Sequence, residues 1–238
     1  MNVVIVQARV GSSRLPRKIL REVKGLPMLN YVLARVKAIP NADLVCCAIP
    51  EGEANDELAQ KAVQLGATVT RGSEKDVLSR YVIAARATNA QVVMRITSDC
   101  PFLDPAVSGR ILADFLTGGA DYVSNVEARS WPHGLDTEVF TRAALEEAGQ
   151  QATLDYDREH VTPWLRTAAH IVRRNVALST DRYATWRWTL DYPEDLEFIK
   201  AVLEYFPPFP FLPSFEEVRA VVEAHPEVAA INAHLGSR

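Results

Sequence analysis

The sequence predicts an α/β fold of three layers, in which a mostly parallel, twisted sheet lies between two layers of helices. Through the first half of the chain, short β-branched runs alternate with amphipathic helical patterns, the order that crossover helices give to a parallel sheet. The first run, residues 3–6, is apolar throughout, as expected of a central strand that is buried on both faces. A chain of 238 residues with 48% hydrophobic residues has enough apolar surface for a substantial core.

Strands and helices follow one another regularly as far as residue 116. The predicted strands are 3–6, 44–49, 68–71 and 92–96, and the predicted helices are 28–39, 54–65, 76–87 and 105–116. Because ligands of parallel α/β sheets bind at the carboxyl ends of the strands, the loops that follow the strands are the first places to look for a site.

Beyond residue 116 the pattern is less regular and predicts a smaller mixed or antiparallel extension of the sheet. Its predicted strands are 122–125, 137–140, 170–175 and 187–190. A predicted helix at 196–205 ends in a proline-rich stretch, and Ser214 with Glu217 makes a capping box for one last helix. We therefore predict one domain over residues 1–238, with residues 207–238 as a proline-rich helical appendage.

The composition restricts the partners and the compartment. Lys and Arg number 26 against 30 Asp and Glu, so the net charge of -4 does not favour nucleic acid or an anionic membrane. The three cysteines have neither the number nor the spacing of a disulfide framework or a metal site. The first apolar run is too short for a signal peptide, and no stretch reaches the roughly 20 apolar residues of a membrane span. We expect a cytoplasmic protein without membrane insertion.

The segment 7–20, directly after the first strand, is the strongest candidate for a ligand site. It carries four cations in ten residues, of which Arg9, Arg14 and Lys18 can converge on a polyphosphate, while Gly11 allows a tight turn. A solvated basic loop is the alternative interpretation, but the position at a strand end favours an anion site. The segment contains neither the dinucleotide-binding G-x-G-x-x-G nor the P-loop G-x-x-x-x-G-K-[ST].

Two acids are candidates for a metal site. Asp99 follows the predicted strand 92–96 and precedes Pro101, so its carboxylate is expected at the ligand edge of the sheet, although a simple turn-forming role also fits. Asp191 precedes Glu194 by three residues, which also reads as a capping box for the next helix.

The segment 7–20 resembles the opening motif of the cytidylyltransferase family that includes 3-deoxy-manno-octulosonate and acylneuraminate cytidylyltransferases, in particular its spore-coat polysaccharide biosynthesis branch. The typical form Q-A-R-x-G-S-S-R-L-P-x-K-x-L is reproduced throughout. Further segments that are similar to the family are 71–81, 95–101, 134–140 and 190–196. Guanylyl- and uridylyltransferases of the same broad fold begin instead with a glycine-rich loop, so the resemblance favours cytidine.

The resemblance implies a fold like that of nucleotide-diphospho-sugar transferases and a set of ligand contacts. It implies that Asp99 and Asp191 hold Mg²⁺ and that the segment 72–80, with Asp76 and Arg80, helps to enclose the base and ribose of CTP. Other CTP-binding residues are expected in the first loop, namely Gln7, Ala8, Gly11, Ser12 and Ser13. Homodimers are common among relatives, and we expect one here.

Candidates for contact with the acceptor lie further along the chain. Strand periodicity places Asp136 and Glu138 on one face, where they can bind hydroxyls, although an exposed strand face explains them as well. His133 and His160 can contact an acidic acceptor, but a lone histidine is more often structural.

Other residues are predicted to serve packing. Trp186 and Trp188 recur with strand spacing, and with Tyr192 they are expected to form core contacts in preference to base stacking. Cys100 lies beside Asp99 without a base at a defined spacing, so it is expected to pack and not to act as a nucleophile.

The family resemblance implies transfer of CMP from CTP onto an acidic, sugar-like acceptor with release of pyrophosphate, in surface polysaccharide or glycoconjugate biosynthesis. A nucleotide-sugar-dependent glycosyltransferase is one alternative, but the metal motif D-x-D is replaced here by Ser98-Asp99-Cys100-Pro101. A non-catalytic nucleotide-binding subunit is another, which the complete set of cations and acids disfavours.

Overall fold

The computed structural model describes residues 1–236 and contains a seven-stranded sheet covered by helices on both faces. The strands of this sheet are β1 Asn2–Gln7, β4 Leu44–Pro50, β5 Thr68–Gly72, β6 Val92–Thr97, β7 Tyr122–Ser124, β8 Glu138–Thr141 and β9 Arg173–Asn175. A separate two-stranded antiparallel sheet pairs β2 Glu22–Val23 with β3 Leu26–Pro27. The helices are α1 Met28–Lys37, α2 Asp56–Gln64, α3 Val77–Ala87, α4 Pro105–Leu116, α5 Arg142–Gln151, α6 Asp155–His160, α7 Pro163–Thr167, α8 Pro193–Leu203, α9 Phe215–Ala224 and α10 Pro226–Ala233.

The strand order β5-β4-β1-β6-β8-β7-β9 confirms the mostly parallel sheet and its mixed extension. Strands β5, β4, β1 and β6 are parallel neighbours, whereas β8 is antiparallel to both β6 and β7. The chain moves outward from β1 through β4 to β5 and then crosses back to β6 on the other side of β1. Ligands of α/β sheets bind where the strand order reverses in this way, which here is the edge where β1 and β6 end.

The period of two along β1 divides the core into two parts. Val4 and Val6 pack with the helices of one face, and Val3 and Ile5 pack with those of the other, including Tyr81 of α3. All four side chains of this run are buried, which confirms a central strand. No helix within residues 1–236 has the length and apolar content that a membrane span requires.

The predicted elements of the first half are confirmed to within a few residues at each end, and several predictions for the second half are wrong. Residues 187–190 form no strand, since their single β-bridge joins His133 to Arg187. The predicted strand 170–175 is restricted to β9, and the tail after residue 213 contains two helices instead of one. The capping box predicted for α8 from Asp191 and Glu194 is also wrong. Tyr192 is the N-cap residue, and Asp195 accepts the backbone N–H groups of Asp191 and Tyr192.

Candidate active site

A cleft of about 480 Å³ opens where β1 and β6 end. It brings together most of the residues that the sequence indicated, from segments far apart in the chain. The lining residues are Gln7, Ala8, Arg9, Gly11, Ser12, Ser13, Arg14, Lys18, Val77, Arg80, Arg95, Thr97, Ser98, Asp99, His133, Asp136, Glu159, His160, Thr189 and Asp191.

The loop after β1 is held by a hydrogen bond within its own backbone, by a hydrogen bond to the Asn55 side chain and by the burial of Leu15. The Val10 N–H donates to Asn55 Oδ1 at 3.0 Å, and the Val10 carbonyl accepts from the Arg17 N–H at 3.3 Å. Leu15 is buried in the core, and Arg17 has a left-handed backbone (φ 58°) that turns the chain into a short 3₁₀ helix, Lys18–Leu20. These contacts close the loop, so its remaining cations are directed towards the cleft and solvent.

Lys18 lies between the two acids that were predicted to bind metal. Its Nζ donates to Asp99 Oδ2 and to Asp191 Oδ1, in both cases at 2.8 Å. Burial alone would lower the pKa of Lys18, but Asp99 and Asp191 more than offset it, so the pKa lies above its usual value. Burial likewise opposes ionisation of Asp99, yet the Lys18 ammonium holds the pKa of this carboxyl below its usual range. Lys18 and Asp99 therefore both carry their charges in the folded protein.

The segment 187–191 reaches Asp99 through backbone hydrogen bonds. The Asp99 carbonyl accepts from the Leu190 N–H at 2.8 Å and from Thr189 Oγ1 at 3.1 Å. On its other side the segment lies against Gly134, whose φ is 116° and where a Cβ would stand only 2.7 Å from the Trp188 carbonyl group. A glycine is therefore required there, and the close approach delivers Asp191 to the cleft.

The two arginines of the loop are more exposed than Lys18. Arg14 Nη2 lies 3.2 Å from Asp191 Oδ1, and its Nη1 donates to the Tyr192 hydroxyl at 3.1 Å with the guanidinium over the Tyr192 ring. Arg9 lies 3.9 Å from Glu74, a loose contact of two exposed side chains. Both arginines keep donors available for an anionic ligand.

Arg80 and Asp76 were both predicted to help to enclose the base and ribose of CTP, but only Arg80 lines the cleft. Arg80 is buried at the cleft wall, where its Nη1 donates to the carbonyls of Ser73 and Glu74, and its Nε has no partner among residues 1–236. Asp76 does not line the cleft: it caps α3 by accepting the Ser79 N–H at 2.9 Å and pairs with Arg158. Its contact with CTP stays a prediction.

Asp136 and His133, which were predicted to contact the acceptor, both line the cleft. Arg129 binds both oxygens of Asp136, at 2.7 and 3.0 Å, and His133 Nε2 lies 3.8 Å from the same carboxylate. Sequence reasoning missed Arg129, because no local pattern joins it to an acid seven residues away.

Glu138 is the first residue of β8, so Asp136 lies outside the strand, and the exposed strand face predicted as the alternative for Glu138 is wrong. Its side chain is buried, with Oε1 bound by Arg95 and Oε2 accepting from the Tyr122 hydroxyl at 2.5 Å. Arg95, not Glu138, lines the cleft. A cation within the apolar run of β6 was a visible signal for Arg95 that the sequence analysis did not use.

His160 and the unpredicted Glu159 reach the cleft from the end of α6, a short helix with no buried residue of its own. The next residue, Val161, is fully buried with φ 73°, an unusual backbone for a β-branched residue, and the Thr162 N–H donates to the His160 carbonyl at 2.9 Å. This tight turn ends the helix at the cleft.

The packing predictions hold for most of the remaining candidates. Trp188 is buried beside Trp186 and Phe215, whereas Tyr192 contacts Arg14 instead of the core. Cys100 is buried, and burial raises the pKa of its thiol well above the usual value. Its thiolate is therefore scarce, as expected of a packing residue.

The sheet is mostly parallel, with a cationic loop after the central strand β1 and Asp99 after the neighbouring strand β6, and Asp191 joins Asp99 from the loop before α8. This arrangement defines a nucleotidyltransferase-like α/β protein. The chain belongs to the cytidylyltransferase family, since the model of that family matches residues 3–225. It is 32% identical to the spore coat polysaccharide biosynthesis protein SpsF of Bacillus subtilis over 84% of this chain and 85% of that protein. It is 34% identical to a 3-deoxy-manno-octulosonate cytidylyltransferase of Acidobacterium capsulatum over 47% of this chain and 44% of that enzyme.

A solved structure of a cytidylyltransferase from Leptospira borgpetersenii has the same fold. It superposes with a TM-score of 0.89 at 28% identity, covering 96% of each chain. The family and the fold that the loop motif and the strand pattern predicted are thus confirmed.

Proposed function

We propose that this protein is a magnesium-dependent cytidylyltransferase that moves CMP from CTP onto a small acidic, sugar-like acceptor and releases pyrophosphate. The observation that carries the proposal is the Lys18 ammonium, bound by Asp99 and Asp191 in a cleft whose rim holds Arg9 and Arg14. Cations and acids in this arrangement suit a triphosphate that arrives with a metal ion. The similarity to a 3-deoxy-manno-octulosonate cytidylyltransferase supports CTP as the donor, and the similarity to SpsF supports polysaccharide biosynthesis as the setting.

Asp99 and Asp191 are the residues that would hold Mg²⁺. Their oxygens converge on one cation, Lys18, so they can reach a common ion. Magnesium takes one or two carboxylates and completes its ligands with water and phosphate oxygens. The described part of the chain has no group of three or more His, Cys, Asp or Glu that could hold a metal ion. When bound, the ion would neutralise the non-bridging phosphate oxygens.

The protein's own residues would bind and orient the triphosphate. In the proposed reaction an acceptor hydroxyl oxygen forms a bond to the α-phosphorus and its proton passes to solvent water, while the bond between the α-phosphorus and the oxygen that bridges to the β-phosphorus breaks. The leaving pyrophosphate carries the electron pair and the added charge, which Lys18, Arg14 and Arg9 would stabilise.

Arg95 supports an anionic acceptor. It lines the cleft with most of its side chain buried, its Nη1 is bound to Glu138, and its Nε has no partner among the residues described. Burial alone would lower the pKa of Arg95, but the Glu138 carboxylate more than offsets this effect and raises the pKa above its usual value. The guanidinium therefore stays charged. The Arg95 guanidinium is held by Glu138, which also accepts a hydrogen bond from the Tyr122 hydroxyl. A guanidinium fixed in this way is suited to bind a carboxylate. On this proposal His133, Asp136 and His160 contact the acceptor, and Glu138 acts only by positioning Arg95.

Pyrophosphate release with CTP, Mg²⁺ and a panel of sugar acids, including 3-deoxy-manno-octulosonate and N-acetylneuraminate, tests the proposal. We expect release only with an acid acceptor, and loss of it in Asp99→Asn and Asp191→Asn but not in Asp181→Asn, an exposed residue outside the cleft. Hydrolysis of CTP alone, or sugar transfer from a supplied UDP-sugar, would overturn it. Light scattering tests the homodimer that the family resemblance predicts.

A further inference from the structure

The carboxylate of Asp195, in the first turn of α8, is fully buried and accepts five hydrogen bonds. Oδ1 accepts from Arg187 Nε at 2.8 Å and from Asn232 Nδ2 at 2.9 Å. Oδ2 accepts from Arg187 Nη2 at 2.8 Å and from the backbone N–H groups of Asp191 at 2.8 Å and Tyr192 at 3.0 Å. A carboxylate offers about four lone-pair directions, so Asp195 is saturated.

This carboxylate fixes the residue that was proposed to bind metal. The backbone of Asp191 is held by Asp195, and the side chain of Asp191 lies 3.4 Å from Arg187 Nη2. The pair of Arg187 and Asp195 thus forms a charged, buried support directly beneath Asp191.

Asn232 joins this support to the last helix, α10. Its side chain is buried, and its Nδ2 donates both to Asp195 and, at 3.0 Å, to the Arg187 carbonyl. The match to the family model ends at residue 225, and α10 begins at Pro226, so Asn232 lies beyond the matched residues. A helix outside that match therefore contacts both members of the pair beneath Asp191.

We propose that Asn232 is a positioning residue for Asp191, acting through the Arg187–Asp195 pair, so that α10 is part of the metal-binding apparatus and not only a packed appendage. A buried ion pair requires that its remaining donors and acceptors are satisfied. Without the Asn232 amide, Asp195 Oδ1 accepts a hydrogen bond from Arg187 Nε only, and the Arg187 carbonyl loses the hydrogen bond that it accepts from Asn232. The pair can then shift, and Asp191 shifts with it. The inference rests on the proposed metal role of Asp191.

The test compares Asn232→Leu, which removes the amide at similar volume, with Val228→Ala, which weakens the packing of α10 without touching the network. Binding of Mn²⁺ in the presence of CTP is measured by electron paramagnetic resonance, and hydrogen exchange is followed at the amides of Asp191 and Tyr192. Partners of metal ligands typically contribute about 10- to 100-fold to metal affinity. For Asn232→Leu we expect a rise of about 10-fold in the Mn²⁺ dissociation constant, faster exchange at both amides and unchanged CTP binding in EDTA.

Unchanged Mn²⁺ affinity in Asn232→Leu would overturn the inference, and so would an equal loss in Val228→Ala. If Asn232→Leu does not fold, Asn232→Ser, which keeps a hydroxyl donor, serves in its place with a smaller expected loss. The two proposals fail in different ways. A wild-type protein that binds Mn²⁺ with CTP but releases no pyrophosphate with any acceptor contradicts the proposed function alone. An Asp191→Asn variant with wild-type Mn²⁺ affinity removes the role of Asp191, and the inference with it.

Discussion

Leu190 donates its backbone N–H to the carbonyl oxygen of Asp99 at 2.8 Å, which fastens the segment before α8 to the end of the central strand β6. Because Asp191 is the next residue, this bond brings the second acid within reach of Lys18. The geometry of the cleft therefore depends on backbone contacts as much as on the charged side chains that fill it.

Lys18→Met is expected to lower kcat/KM for pyrophosphate release by about 100- to 1,000-fold, the usual effect of removing one preorganised donor from a developing anion. It also removes the cation that Asp99 and Asp191 share and leaves Asp191 with Arg14 and Arg187 only. Added Mg²⁺ should therefore raise the Tm of the variant more than that of the wild type. Steady-state kinetics and thermal unfolding with and without Mg²⁺ check both. Arg17→Met, an exposed cation of the same loop outside the cleft, is the control; wild-type kcat/KM in Lys18→Met would contradict the proposed role.

Arg95→Gln is expected to raise the KM for an acidic acceptor by about 10- to 100-fold, because a hydrogen bond to a charged group contributes about 1.5–3 kcal/mol. The KM for CTP should change by less than about twofold, since the proposed function assigns the nucleotide to the loop that follows β1. Initial rates at varied acceptor and varied CTP separate the two. Arg86→Gln, an exposed arginine paired with Glu146, is the matched control. A rise confined to the KM for CTP would assign Arg95 to the nucleotide.

Asp76 contributes stability that depends on pH. Burial raises its pKa, but hydrogen bonds from Arg158 and Ser79 more than offset this, so the folded pKa lies below 3.8. Because the pKa of Asp76 is lower in the folded than in the unfolded protein, its ionised carboxylate stabilises the fold at pH values above 3.8. This stabilisation is lost as the pH falls through the folded pKa. Asp76→Asn should therefore lower the free energy of unfolding by about 1 kcal/mol at neutral pH, as expected for a weakened cap and ion pair.

Urea unfolding of wild type and Asp76→Asn at neutral pH and at a pH below 3.8 measures this difference, which should shrink in acid. Arg158→Met and the double variant complete a cycle that isolates the ion pair from the cap. If the difference in the free energy of unfolding between wild type and Asp76→Asn were larger in acid, the folded pKa of Asp76 would lie above the unfolded pKa, which contradicts the prediction.

The cysteine thiols are expected to be unreactive in the folded protein. Burial raises the pKa of Cys47 to about 12, and Cys46 and Cys100 are buried as well. At pH 8 roughly one Cys47 in ten thousand is then a thiolate, the reactive form. A disulfide reagent such as dithionitrobenzoate should label the native protein slowly and the denatured protein at all three positions, and Cys100→Ala should keep pyrophosphate release. Fast native labelling that disappears in Cys100→Ala would contradict a packing role.

Local patterns were sufficient for the first half of the fold. The β-branched runs and helical periods there predicted β1, β4, β5 and β6 with the helices between them, because each element buries a face that repeats with its own period. They failed where burial is irregular. Helix α6 has no buried residue and hence no apolar period, and residues 187–190 look like a strand but bond to Asp99 and His133 instead of a neighbouring strand.

The sequence by itself determined the family and the cationic loop after β1, since a motif of adjacent residues needs no tertiary structure to be read. It also indicated each acid separately. Only the tertiary structure decided that Lys18 binds Asp99, 81 residues away, together with Asp191, 173 residues away. It also decided that Arg95 donates to Glu138 and that Asn232 donates to Asp195, the carboxylate beneath Asp191. The physical reason is that such contacts depend on sheet order, on backbone hydrogen bonds between distant loops and on burial, none of which leaves a repeating signal in the local sequence.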